Sequence, residues 1–134
     1  MNKLLKDYVL VTNNKKVYDT YSDEFNVEHI EGMDYSAVLN RCRELIHTGY
    51  IMETHPLSGS IKPNETPFKT VLLSAPSSDE ISTDTQSLLI IEDAIATYEK
   101  FLLNRPTPNW IGRAVEDFMT IDLSLIKPVM EKLF

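Results

Sequence analysis

His55 has the neighbours that acid–base chemistry requires. It stands in the stretch THPLSGSIKPNETP, residues 54–67, which also carries Glu65, while Glu31 closes an earlier strand-like segment. Either carboxylate can orient an imidazole ring, and an imidazole so held takes and returns a proton near neutral pH. The same loop offers anion ligands. Ser58, Gly59 and Ser60 bring hydroxyls and backbone N–H groups, and Lys62 adds a point charge. This is no Walker loop, which needs two glycines and a Gly-Lys-Ser/Thr ending, and no Gly-x-Ser-x-Gly elbow surrounds either serine. The plainer reading is that Ser and Asn brace the loop's own backbone while prolines stiffen it. The loop holds three of the seven prolines. Loops this long in small domains are functional or disordered, and its side chains favour function.

Other reactive side chains read as structural. His29 alternates with Ile30 on an edge-like strand, and His47 falls in the last turn of a helix, where it complements the dipole. The three histidines show no metal-ligand spacing, so neither a metal site nor a cofactor is expected. Cys42, the only cysteine, lies among apolar helical positions and reads as a small buried hydrophobe.

Positioning these groups requires an α/β domain. DYVLVTNN reads as a strand buried on both faces, and NKKVYDTYSDEF as a helix that Asn13 or Asn14 can cap. NVEHIEG is a half-polar strand for a sheet edge. DYSAVLNRCRELIHTG is a helix capped by Asp34, with Val38, Cys42 and Leu45 on one face and Gly49 as its stop. YIMET and FKTVLLSA read as strands flanking the 54–67 loop. Thr83 and Gln86 form a capping-box pattern ahead of a helix striped by Leu88, Ile91, Ile95, Tyr98 and Leu102, a stripe that reads as core. Pro106 and Pro108 break the chain, after which Thr107 or Asn109 can cap a helix using Trp110, Ile111, Ala114, Val115 and Phe118. The apolar tail either docks on the domain or joins a subunit interface.

The order β-α-β-α-β-β-α-α predicts one domain over residues 1–134, with a core over 1–74 and a helical part over 83–134. The expected sheet is mostly parallel and four-stranded, with helices on both faces. Its last strand returns antiparallel, beside strand three or, given the apolar TVLLS, beside strand one. In such sheets ligands bind beyond the carboxyl ends of the parallel strands. There Thr12 and Asn13, Glu31, and the loop residues His55, Ser58, Gly59, Ser60, Lys62, Asn64 and Glu65 should converge as ligand-binding candidates.

The length of 134 residues allows a real core, and the net charge of −7 argues against a nucleic-acid or membrane-surface binder. No stretch is apolar enough for a membrane span, and MNKLLKDYVLV lacks a signal-peptide pattern, so a cytoplasmic location is expected.

Read in this order, TNN, EG, LIHTGY and THPLSGSIKPNETPFKTVLLS resemble the GrdX family, small proteins named for genes lying with glycine reductase operons in amino-acid-fermenting anaerobes. The resemblance covers Tyr8 to Leu102, is most specific across His55 to Lys69, and leaves the tail from Pro106 as a lineage-specific extension. It implies a cytoplasmic setting linked to glycine, sarcosine or betaine reduction, and assigns no residue a role. Two functions follow: an accessory protein that binds a small metabolite or a reductase-pathway protein at the rim, or a small enzyme using His55 with Glu31 or Glu65 in acid–base or acyl/phosphoryl chemistry. A homodimer through the C-terminal helices is expected from the apolar surface they offer.

Overall fold

A computed structural model describes residues 7–58, 62–76 and 82–133. Its elements are β1 (Tyr8–Thr12), α1 (Lys15–Tyr21), β2 (Val27–His29), α2 (Tyr35–His47), β3 (Ile51–Met52), β4 (Thr70–Ser74), α3 (Thr85–Asn104) and α4 (Arg113–Leu133). The strands form one mixed sheet in the order β2-β1-β4-β3. Only β1 and β2 pair in parallel; β4 runs antiparallel to both β1 and β3. The expected mostly parallel sheet is therefore corrected. β4 lies between the two strands proposed as its neighbour, and both of its ladders are antiparallel. The reason is hydrophobic: all five residues of TVLLS are buried, so the strand takes a central place, and the two-residue β3 is left at the edge.

Strands β1, β2 and β3 still point the same way, because β1 and β3 both oppose β4. TNN, EG and the 54–67 loop consequently leave one edge of the sheet. The period-two alternation of the central strands splits the core in two. Val9, Val11, Val71 and Leu73 pack against α2 and α3 on one face. Leu10 and Leu72 pack with Val17 of α1 and with Ile126 and Met130 of α4 on the other. The helical stripe Leu88, Ile91, Ile95, Tyr98 and Leu102 lies within the first core, and the apolar tail of α4 docks in the second.

Helix starts follow local chemistry. Asn14 caps α1 by accepting from Lys16 N at 3.0 Å, and Asp34 caps α2 by accepting from Ser36 N. The cap of α3 is Asp84, not Thr83, since its carboxylate takes both the N–H and the hydroxyl of Ser87. The last helix begins later than its pattern suggested. Trp110 is held outside it by an indole N–H donated to Glu65 O and by its ring contact with Phe118, at 5.1 Å between centroids. Gly112, at φ +58°, turns the chain so that its carbonyl receives the first helical N–H groups, from Val115 and Glu116. Among the described residues no helix is long and apolar enough to cross a membrane.

Candidate functional site

The end of β1 is the anchor of the rim. Thr12 and Asn13 are both buried. The Asn13 side chain donates Nδ2–H to Pro67 O at 2.7 Å and accepts Lys69 N–H at 3.0 Å, so one amide extends the β1–β4 ladder past its last backbone pair. The Thr12 and Thr70 hydroxyls meet at 2.7 Å across the two strands, and Thr12 Oγ1 also accepts Asn14 N–H. Thr70 donates its hydroxyl proton to Asp122 Oδ2 at 2.7 Å, which leaves Thr12 as the donor in the pair. Asn14 Nδ2 reaches the same Oδ2 at 3.0 Å and also Met119 O. A closed ring of hydrogen bonds thus ties β1, β4 and α4 together around one carboxylate.

Asp122 is 4% exposed, and burial pushes its carboxyl above the ordinary range against the opposing pull of Asn14, Thr70 and Lys69. Lys69 is 5% exposed, and burial pushes its amine below the ordinary range while Asp122 draws it back. The Lys69 ammonium donates to Ser58 O at 2.7 Å and to Ser58 Oγ at 3.3 Å. Among the described residues no ion pair joins Lys69 to Asp122. Instead both line two small adjoining cavities of about 20 and 40 Å³, which also share Ser58 and Leu125. Tyr35 and Thr66 close the first cavity, and Thr54 and Thr70 the second. At roughly 10–15 Å³ per water, the first has room for one or two waters and the second for about three or four.

The 54–67 loop is fastened at intervals to different elements. Thr54 Oγ1 accepts Leu72 N–H, Pro56 O accepts the Tyr35 hydroxyl at 2.8 Å, and Glu65 O accepts the Trp110 indole N–H. Asn64 is buried and donates Nδ2–H to Arg105 O at 2.9 Å. His55 is exposed. Its Nδ1 accepts Leu57 N–H at 3.1 Å, and its carbonyl takes the Ser58 hydroxyl. No ion pair or hydrogen bond joins it to Glu31 or Glu65 among the described residues. Glu31 and Lys62 are exposed, and Glu65 is half-buried. Gly59 and Ser60 lie outside the described residues.

The structure therefore gathers Thr12, Asn13 and Ser58 around the buried cluster and leaves Glu31, His55 and Lys62 on the outer surface. Sequence reading missed Asn14 as more than a cap, together with Lys69, Thr70 and Asp122. A lysine and a threonine opening an apolar strand, and an aspartate one residue before an apolar run in a helix, were the available signals. A wider cleft of about 220 Å³ lies between Met33, Pro67 and the 107–110 connection with Trp110. Among the described residues no group of three or more metal-ligating side chains is gathered.

No curated protein and no solved structure matches the chain. A family model described as GrdX-like protein matches residues 9–131. The resemblance read from the sequence stopped at Leu102, and that limit is corrected. The match takes in nearly all of α4, including Asp122, so the C-terminal helix is part of the family's shared chain and not an extension. From β1 to the last turns of α4, the chain belongs to the GrdX-like family.

Proposed function

We propose that the protein is a cytoplasmic accessory protein of glycine, sarcosine or betaine reduction that binds a small polar ligand beneath the 54–67 loop. One observation carries the ligand-binding part: Lys69 and Asp122, two buried groups of opposite charge, face the same cavities without contacting each other. Buried charges are costly unless paired, and a group so placed in a concavity is a site candidate on physical grounds. The metabolic setting rests on the family resemblance. The enzymatic alternative built on His55 draws no support from the geometry, because the ring is exposed and Nδ1 is occupied by a backbone N–H.

A thermal-shift screen of amino acids, methylated glycines, acyl phosphates and nucleotides tests the reading, since a ligand that binds only the folded state raises its melting temperature. A hit is expected to weaken in Lys69→Met, whereas His55→Ala leaves it in place. Conversion of the hit to a product would favour the enzyme. Capture of a reductase subunit with no small-molecule hit would leave only the accessory role. The expected homodimer is a further part of the proposal. Helices α3 and α4 cover opposite faces of the sheet, so a two-fold contact uses one of them, and sedimentation at micromolar concentration decides it.

A further inference from the structure

The chemistry of the two cavities says more than that something small and polar enters them. Their charged lining consists of one amine and one carboxylate, each at least nine-tenths buried. The partners these groups have are neutral. Lys69 reaches Ser58, and Asp122 is met by Asn14 and Thr70. Neither group has a counter-charge in contact; the two attract each other only across the cavities, and buried charges held short of a pairing contact are costly. An anion alone would pair Lys69 and leave Asp122 facing a second negative charge. A cation alone would do the reverse. A ligand with both charges, separated by a short span, pairs each group and leaves the site neutral.

Resting on the ligand-binding reading above, we infer that the site takes a small α-amino acid in its zwitterionic form, its carboxylate against Lys69 and its ammonium against Asp122. Ser58 is the natural exchange point. Its hydroxyl lies at the longer of the two Lys69 contacts, so the ammonium can turn toward a ligand carboxylate while keeping the Ser58 carbonyl. Size sets the second limit. The cavities are small and bounded by Leu125, Ile126 and Val129 on the α4 side, which leaves no room for a long side chain.

Isothermal titration at low millimolar ligand tests this on the native protein, with glycine, N-acetylglycine and glycinamide as probes. The first carries both charges, the second only the carboxylate, and the third only the ammonium. Low concentration matters because glycine at molar levels stabilises folded proteins by exclusion from their surface. Glycine is expected to give saturable heat, and both analogues to bind about ten- to a hundredfold more weakly, the loss that follows one missing charged hydrogen bond. Lys69→Met and Asp122→Asn are expected to weaken glycine by a similar factor. The analogue series needs no variant to fold. Equal or tighter binding of either singly charged analogue would overturn the zwitterion and leave the ligand-binding reading intact. Silence from all three probes would overturn the zwitterion too, and the wider screen would then judge that reading by itself.

Discussion

Asp122 and Lys69 are two buried side chains whose ionisation the fold perturbs in opposite directions, and each leaves its own mark on stability. The raised carboxyl of Asp122 holds its proton to higher pH in the folded state than in the unfolded chain, where carboxyls titrate at about 3.9. Its contribution is thus fully present below that value and is lost as pH rises through the folded pKa. Lys69, with its amine lowered, has the opposite slope. Its contribution grows as pH rises through the folded pKa toward the unfolded value of about 10.4. Urea unfolding over a pH series is expected to show Asp122→Asn gaining stability relative to the native chain as pH rises above 4, about where the unfolded carboxyl titrates. Lys69→Met should gain most at neutral pH and converge on the native chain in alkali. A difference curve flat in pH for either variant would mean the group is solvated and the cluster open. Asn13 makes a separate test. Asn13→Ala removes both of its bonds to the loop end, costing about 2–3 kcal/mol, and the Lys69 amide should then exchange with deuterium far faster.

At the scale of elements, two segments decide the site, and both are easily misread as appendages. The 54–67 loop has neither helix nor strand of its own among the described residues, yet the side chains of Tyr35 in α2, of Asn13 just past β1 and of Trp110 hold its backbone, and its own Asn64 amide reaches Arg105 O. It behaves as a brace around the cavities, which is how one stretch fits both of its sequence readings. The amides of Leu57 and Glu65, bonded to His55 Nδ1 and to Lys62 O, should exchange more slowly than that of Thr83. Helix α4 is the second segment. It brings Asp122 to the sheet edge and Ile126 and Met130 to the core, despite Pro128 in its interior. Met130→Ala is expected to cost about 2–5 kcal/mol in urea unfolding, and Leu103→Ala, at an 87% exposed position, less than about 0.5. Similar costs at the two positions would refute the docking of the tail.

On the scale of the whole molecule, a four-stranded sheet with a helix pair on each face buries its only cysteine completely. Cys42 is 0% exposed, and burial pushes its thiol up to about 12. Thiolate reagents should therefore modify the folded protein only when it opens globally. Labelling is expected to follow the population of unfolded chains across a urea series, and rapid labelling of the native state would show that the α2–α3 face opens locally. The same two-faced packing limits association, since exposed Leu89 and Leu103 lie on one helix layer and exposed Ile121 and Leu125 on the other.

What the sequence determined by itself is what short-range physics encodes. Continuous apolar runs located the central strands, and three- and four-residue apolar steps located the striped helices. Asn13 or Asn14, Asp34 and Gly49 marked helix ends because caps are local hydrogen bonds and local dihedral needs, and the structure chose Asn14 of the first two. The order of elements placed three chain segments at one sheet edge, and the motif run was enough to show the family. The tertiary structure alone decided which strand lies beside which, because pairing depends on the total apolar burial of β4 against β3 and not on either strand's own pattern. It alone made Lys69 and Asp122 a site. The two are separated by most of the second half of the chain, and no spacing rule relates a strand's entry residue to a side chain on a distant helix. The closed ring through Thr12, Thr70 and Asn14 forms only when the α1–α4 layer packs on the sheet. Short polar side chains at strand ends look alike in a sequence, whether they meet water or one another.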